Sequence, residues 1–367
     1  MLSATLIQEV LTAGLRDEHR GNLDEPATDA EFTELFEFAC EQRVTGLLVL
    51  AIERACVAVR ADQRAKVIDA HNESLRTCQN LESMLLDVHD LFAAAQIDMR
   101  VLKGPAVARR FYPDRSIRTF GDIDLLVRSR DWDPAAALLI ANGFSRRYRE
   151  PRPGFTARFG KGACFVGPDK LEVDLHRTFV DGSYGFAFDP DLLFEQSQDV
   201  IIETTHIATL SDPLLAVHSA VHAALGNRPA RSAPLRDLFE SIEAGVAPHS
   251  IVETAEAMNL SYPVCYALQI AHDRLGISCS PELQAWSANY RPTRREQSAL
   301  DSYTATHRRY ARQVLNGVSS TPGLTSKLRY IAALAAPDRS YLAERDGSVA
   351  RRLKRALSIS RRSKEQS

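Results

Sequence analysis

The apolar positions in the first quarter of the chain recur with the spacing of an α-helix. Leu81, Leu85 and Val88 lie three or four residues apart, and neither Gly nor Pro interrupts the stretch 61–95. Side chains at this spacing share one face of a helix and can pack on a neighbouring layer. We therefore predict a helical N-terminal region over residues 1–97, which includes one long helix and packs on the segment that follows.

The pattern changes between residues 98 and 183, where short apolar runs alternate with polar residues. Such alternation indicates strands, because successive side chains of a strand point to opposite faces. A helix is predicted from Asp133 to Ala141 by its Asp-Pro start and Asn-Gly end. Strands are predicted at 98–102, 121–127, 144–148, 158–166 and 170–176. We expect a small mixed sheet between helical regions, which makes the fold class α+β.

Helical spacing returns after the sheet. We predict a helical C-terminal domain over residues 184–340 and a basic tail over 341–367. The basic residues of the tail are Arg351, Arg352, Lys354, Arg355, Arg361 and Arg362. The tail is either a solvated terminus or a contact with RNA, an acidic partner or a membrane surface.

Carboxylates occupy one face of two predicted strands. Asp122 and Asp124 are two residues apart and project together, while Asp174 shares the polar face of a later strand with Glu172 and His176. Neighbouring carboxylates repel each other, and a hard divalent cation, most often Mg²⁺, relieves that repulsion. If the two strands lie side by side, the three aspartates form a metal-binding cluster.

Three features together resemble the uncharacterised nucleotidyltransferase family, within the DNA polymerase β-like nucleotidyltransferase superfamily. They are Lys103-Gly104, the run R-x-x-x-D-x-D-L-L-V that begins at Arg118, and the later strand with Asp-Leu-His at 174–176. The resemblance covers about residues 80–180. It implies that Asp122, Asp124 and Asp174 bind two Mg²⁺ ions, with Mn²⁺ as the alternative ion. It also implies that a turn at Gly104 cradles the triphosphate, although the superfamily commonly has Gly-Ser where this chain has Gly104-Pro105.

The resemblance further implies transfer of an NMP from an NTP, with ATP as the default, to a hydroxyl of a small molecule, a protein or RNA. Asp174 is the expected general base. Backbone N–H groups at Gly104 would bind phosphate, and Lys103 or Arg118 would neutralise the triphosphate. Arg118 could equally support the carboxylates.

Three further residues are possible substrate contacts. His176 shares the polar face of Asp174, where it either contacts substrate or only fixes the strand. The resemblance places a His-bearing helix and a Leu-Arg-Asp-Leu-like segment at the cleft, which His222 and Asp237 match. Packing with hydrogen bonding is the alternative for His218 and His222. Asp237 could instead pair with an arginine. The two histidines are too few ligands for a zinc site.

Two other functions stay open. The D-x-D motif of a glycosyltransferase also holds Mg²⁺ or Mn²⁺, but that fold needs several parallel strands before the motif, and helices precede it here. A catalytically inactive nucleotide-binding or regulatory module is the second alternative, although the retention of three acids argues against it. A basic loop before residue 162 is either a solvated hairpin or a contact with phosphate or acceptor; its basic residues are Arg146, Arg147, Arg149, Arg152, Arg158 and Lys161.

Composition adds little to this interpretation. The formal net charge is −2, so no overall basicity favours nucleic acid as a partner. No apolar run approaches the roughly 18 residues of a membrane span, and the N-terminus lacks the pattern of a signal peptide. The 6 cysteines form no C-x-x-C pair, so we expect reduced thiols in a cytoplasmic protein.

Overall fold

The computed structural model describes residues 4–15, 26–226, 231–304 and 310–345. Most of the predicted basic tail, including its arginine and lysine cluster, therefore lies outside the described residues. None of the described helices combines the length and the apolar character that a membrane span requires. All 6 cysteines are free thiols.

Within the described residues, four α-helices precede the sheet. They are α1 (Ala4–Thr12), α2 (Asp29–Glu41), α3 (Thr45–Glu53) and α4 (Ala61–Ala94). The helix α4 has 34 residues and is the long helix predicted from the absence of Gly and Pro. Thr28 begins α2 with a capping box, in which its hydroxyl accepts from the Glu31 backbone and the Glu31 carboxylate accepts from the Thr28 backbone.

The central segment alternates strands with short helices. Its elements are β1 (Met99–Val101), α5 (Pro105–Arg110), β2 (Ile123–Val127), α6 (Trp132–Ala141), β3 (Ser145–Arg146), α7 (Phe155–Phe159), β4 (Gly162–Val166), β5 (Glu172–His176), β6 (Ser197–Ile202) and β7 (Thr205–Leu210). Helices follow: α8 (Asp212–Leu225), α9 (Ser232–Glu243), α10 (Pro248–Ala257), α11 (Ser261–Leu275), α12 (Pro281–Asn289), α13 (Arg294–Thr304), α14 (Tyr310–Ser320), α15 (Leu324–Ala335) and α16 (Arg339–Arg345).

The described strands form one mixed sheet of seven strands in the order β3-β4-β5-β2-β1-β7-β6. In the centre, β2 is parallel to β5 and antiparallel to β1. A mixed sheet with helices before and after it confirms the predicted α+β class. The parallel pair of β2 and β5 is the arrangement that brings the two acidic strands together.

The hairpin of β6 and β7 corrects the prediction of helices directly after residue 184. Val200 and Ile202 are buried, whereas Ile201 between them is 53% exposed, so the hairpin follows strand periodicity. Glu203 forms the tight turn with φ of 54°. The turn contains neither Gly nor Asn, the residues that usually indicate a hairpin, so the sequence pattern did not predict it. The hairpin joins the sheet where Thr209 pairs with Val101 of β1.

The predicted strand at 158–166 is also corrected, because its first part is the helix α7. Phe155 and Phe159 are one turn apart, with ring centroids separated by 5.5 Å. Both rings also contact Tyr330 of α15, at 5.9 and 5.3 Å. The packing of these rings favours a helical turn there, and the strand is limited to β4.

Each face of the sheet packs against a different hydrophobic core. Ile123, Leu125, Val173 and Leu175 pack with the second half of α4 and with α6. The opposite face of the sheet packs against a second core, which is formed by the helices α1–α3 and α8–α11. The polar side chains of β2 and β5 lie on this second face, so helices from both ends of the chain surround them.

Candidate active site

The candidate site begins with the register of two parallel strands. Asp124 of β2 lies directly opposite Asp174 of β5. Their neighbours Ile123 and Val173 are fully buried in the opposite core, so the two carboxylates project from the other face. The predicted alternation of acidic and apolar positions is the local reason for this arrangement. Asp124 is only 1% exposed, and Asp174 is half-buried.

Two basic side chains hold the buried carboxylate of Asp124. Lys103 Nζ lies 3.0 Å from Asp124 Oδ2, and His176 Nε2 lies 2.9 Å from Asp124 Oδ1. Burial alone raises the pKa of Asp124, but the Lys103 charge and the His176 hydrogen bond outweigh it, so the pKa lies well below its ordinary value. Burial lowers the pKa of Lys103, yet Asp124 and then Asp122 raise it above its usual range.

Asp122 precedes β2 and shares Lys103 with Asp124, but its nearest partner is Arg43. Arg43 Nη1 donates to Asp122 Oδ1 at 2.9 Å, and Lys103 Nζ lies 3.9 Å from Asp122 Oδ2. Arg43 lies in the turn between α2 and α3, with φ of 57°. A Cβ at Gly121 would lie 2.6 Å from Arg43 Cζ, so the missing side chain lets the guanidinium reach Asp122. The sequence did not single out Arg43, because no local pattern links residues 79 positions apart.

The fit of a metal ion depends on which donor atoms converge. One ligand atom each from Asp124, Asp174 and His176 lie within 4.8 Å of one another. Two carboxylates and an imidazole can hold a divalent cation, and His176 Nδ1 is buried without a hydrogen-bond partner in the described ranges. Asp122 contributes no atom to this group, and His176 is its third member. The assignment of Asp122 as a metal ligand stays a prediction.

The turn before α5 has the backbone that Lys103-Gly104-Pro105 predicted. Gly104 has φ of 59°, and Pro105 is the first residue of the helix. The positive φ favours glycine, and a Cβ at Gly104 would also make a tight contact of 3.3 Å with Phe120 Cγ. The turn places Lys103 beside the aspartates. Binding of phosphate at Gly104 stays a prediction.

Arg118 and Asp237 lie together in the interior. Arg118 Nε and Nη2 donate to the two carboxylate oxygens of Asp237 at 2.6 and 2.8 Å, and Tyr112 donates to Asp237 Oδ1 at 2.8 Å. Neither Arg118 nor Asp237 lines the cavity described below. This geometry matches the alternatives in which Asp237 pairs with an arginine and Arg118 supports the strand that carries the carboxylates.

A cavity of about 540 Å³ opens beside the carboxylates. Asp174, His176 and His222 are among the residues that line it. The remaining wall is rich in aromatic side chains, namely Tyr148, Phe155, Phe159, Phe179, Tyr303, Tyr330 and Tyr341. This volume lies within the range of small-molecule sites, about 300–1,000 Å³.

Two histidines of α8 lie above the polar face of the sheet. The His218 ring contacts Phe179, with centroids 4.7 Å apart, and lies 6.2 Å from the His222 ring. Burial, followed by the charge of Lys103, lowers the pKa of His218 to about 3 and the pKa of His222 well below its ordinary value. Both imidazoles are therefore neutral at physiological pH, and His222 can accept or donate a hydrogen bond inside the cavity.

Similarity to individual known proteins is slight. A search of curated proteins finds no match. Among solved structures, the chain is similar to an antigenic nucleotidyltransferase-like protein from Paracoccidioides brasiliensis, with 13% identity and a TM-score of 0.34 over 58% of this chain and 92% of that one. A similarity of this size carries no functional argument.

The family comparison is more extensive. The family described as "Uncharacterised nucleotidyltransferase" matches residues 28–276, which is more than half of the 367 residues. The matched range contains the sheet, Lys103, both acidic strands and the histidines of α8. It ends before α12, so the last helices that line the cavity lie outside it. The chain belongs to the family of uncharacterised nucleotidyltransferases.

Proposed function

We propose that the protein transfers an NMP from an NTP to a hydroxyl group of an acceptor and releases pyrophosphate. The observation that carries this proposal is the pairing of Asp124 with Asp174 on adjacent parallel strands, with Asp174 lining a cavity of about 540 Å³. Family membership supports a nucleotide as the substrate. ATP is the default NTP for the first experiments.

In the proposed reaction, an acceptor oxygen attacks the α-phosphorus of the NTP. The bond from the α-phosphorus to the bridging oxygen of the pyrophosphate breaks as the new P–O bond forms. The hydroxyl proton passes to a base, for which Asp174 is our candidate. It lines the cavity, is half-buried and forms no ion pair with any described residue. Asp124 is less suitable as the base, because Lys103 and His176 keep its pKa low.

Asp124, Asp174 and His176 are the residues that would hold a divalent cation, for which we propose Mg²⁺ or Mn²⁺. When bound, the ion would neutralise negative charge on the transferred phosphate. Asp122 is proposed as a further ligand from the family resemblance. His176 orients Asp124 through the hydrogen bond to Oδ1.

The remaining predicted residues have supporting roles in this proposal. Lys103 neutralises the buried Asp124 and can contribute positive charge near the triphosphate. Gly104 fixes the turn that positions Lys103. Arg118 holds the segment before β2 through Asp237, which we propose as its function in place of direct contact with phosphate.

The decisive experiment supplies each α-³²P-labelled NTP, with Mg²⁺ or Mn²⁺, to the purified full chain and a cell extract as the source of acceptor. We expect transfer of label to one class of product, which is then identified. The Asp174→Asn variant is the matched negative control, because it removes the carboxylate proposed as base and metal ligand without breaking an ion pair within the described residues. Transfer by Asp174→Asn at the wild-type rate would overturn the proposed role of Asp174.

Calorimetric titration with ATP, with and without Mg²⁺, separates an enzyme from an inactive module. Metal-dependent binding without transfer to any acceptor in a broad panel would favour the nucleotide-binding module. Absence of both nucleotide binding and transfer with every NTP would overturn the proposed function.

A further inference from the structure

The basic loop before β4 contains six basic side chains, and five of them have partners. Arg146 donates to Thr156 Oγ1 at 2.6 Å, Arg147 pairs with Glu172, and Arg149 also has an interaction partner. Arg152 donates to the carbonyl of Ala336 at 2.7 Å, and Arg158 donates to that of Gly154 at 3.4 Å. These arginines therefore stabilise the loop and its contact with the C-terminal helices.

Lys161 differs from the arginines of the loop. Its side chain lines the same cavity as Asp174 and His176, and the residue is half-buried. Across the described part of the chain, its ammonium forms neither an ion pair nor a side-chain hydrogen bond. An ammonium that has no partner and lines a cavity is available to bind an anionic ligand there.

The backbone of Lys161 is fixed by hydrogen bonds, whereas its ammonium forms none with the described residues. Its N–H donates to Asp181 Oδ1, and its carbonyl accepts from the Arg177 N–H at 2.7 Å. On the next residue, a Cβ at Gly162 would collide with the carbonyl oxygen of Leu175 in β5. The chain therefore approaches β5 closely here, and it fixes the point from which the Lys161 side chain extends into the cavity.

The charge of Lys161 acts on the same groups as the charge of Lys103. Burial is the main reason for the low pKa of His222; Lys103 contributes next, and Lys161 contributes as well. Lys161 also helps to lower the pKa of Asp124, after Lys103 and His176. The ammonium is therefore close enough to act on both Asp124 and His222.

We propose that Lys161 binds a phosphate group of the NTP inside the cavity. This inference rests on the proposed function. Lys103 is already paired with Asp124 at 3.0 Å, whereas Lys161 has no such partner and lies beside the same carboxylates. A triphosphate gives that ammonium a charged partner and sets the α-phosphorus near Asp174. Lys161 is thus a substrate-binding residue that acts through charge and hydrogen bonding.

The test is calorimetric titration of the full chain with inorganic tripolyphosphate and with ATP, each in Mg²⁺. We compare the wild type with Lys161→Gln, with the conservative Lys161→Arg, and with Lys170→Gln as control. Lys170 is exposed in the turn before β5 and does not line the cavity. We expect Lys161→Gln to weaken binding of both probes by about 10- to 100-fold, the size of one lost hydrogen bond to a charged group. Lys161→Arg should recover most of the affinity, and Lys170→Gln should match the wild type.

The other results have distinct meanings. If the wild type binds ATP and Lys161→Gln binds it equally well, the inference is wrong while the proposed function stands. If Lys161→Gln retains ATP affinity but loses transfer of label in the extract, Lys161 acts in the transfer step and not in binding of the NTP, and the inference is wrong. If the wild type binds neither probe and transfers no label, the proposed function fails and this inference fails with it.

Discussion

Arg118 and Asp237 form a bidentate ion pair in the protein interior, with N–O distances of 2.6 and 2.8 Å. The pair joins the segment before β2 to helix α9, across 119 positions of sequence. Their side chains are 9% and 3% exposed. Because Asp122 and Asp124 follow Arg118 so closely, the pair fixes the start of the acidic strand relative to the C-terminal helices.

Replacement of one partner should destabilise the fold strongly. Asp237→Ala leaves the Arg118 guanidinium buried without its counter-charge, so we expect the free energy of unfolding to fall by about 3–5 kcal/mol. Tyr112→Phe removes one hydrogen bond to the same carboxylate and should cost about 1 kcal/mol. Urea denaturation followed by circular dichroism measures both changes. Asp62→Asn is the control, because the Arg60–Asp62 pair is exposed; an equal loss in that variant would contradict the prediction.

The second prediction concerns acid stability. His218 has its pKa lowered to about 3, chiefly by burial and then by Lys103, whereas an unfolded histidine has a pKa of 6.5. Below pH 6.5 His218 is therefore protonated in the unfolded chain, whereas in the folded chain it is protonated only near pH 3. The free energy of unfolding consequently decreases as the pH falls through this range. At 1.36 kcal/mol per pH unit, the loss attributable to His218 is about 2 kcal/mol by pH 5.

Denaturation curves at pH 7 and pH 5 check this effect. The difference in unfolding free energy between the two pH values should be smaller in His218→Gln than in the wild type by that amount. His206→Gln should leave the difference unchanged, because the His206 side chain is 66% exposed. An unchanged pH dependence in His218→Gln would show that His218 titrates normally in the folded protein.

The third prediction tests whether Arg43 orients Asp122. Gly121→Ala places a methyl group where Arg43 Cζ now lies 2.6 Å away, and Arg43→Ala removes the guanidinium altogether. We expect each variant to lower label transfer about tenfold, which corresponds to roughly 1.4 kcal/mol. The double variant should be no worse than either single one, because both remove the same contact. Independent, multiplying effects would mean that the two residues act separately.

The candidate site could be predicted in part because strand periodicity is local. Asp124 and Asp174 each follow a buried apolar residue, Ile123 or Val173, and point to the other face of the sheet. This two-residue alternation in each strand is visible in the sequence. The contribution of His176 was harder to assign. Its place on the polar face was predicted, but its contact with Asp124 depends on the register between β2 and β5, which strand alternation does not determine.

Features that depend on distant pairing were not predictable. The sequence indicated that Asp237 could pair with an arginine, but nothing local identified Arg118 among the basic residues. Arg43 gave no signal, because its contact with Asp122 arises from the packing of α2 and α3 beside the sheet. The hairpin β6–β7 was missed for a different reason, since its turn at Glu203 lacks the residues that usually mark a hairpin.

The final prediction separates two aspartates that the sequence treats alike. Asp122 is 25% exposed and its partner Arg43 is 42% exposed, so Asp122→Asn should change the unfolding free energy by at most about 1 kcal/mol. Asp124 is buried against Lys103, so Asp124→Asn removes the nearer carboxylate from a buried ammonium and leaves only Asp122 at 3.9 Å; it should cost about 3–5 kcal/mol. Both variants should lose NMP transfer. Adding Lys103→Met to Asp124→Asn should recover stability but not activity, and failure of that recovery would indicate that Lys103 is not the cause of the loss.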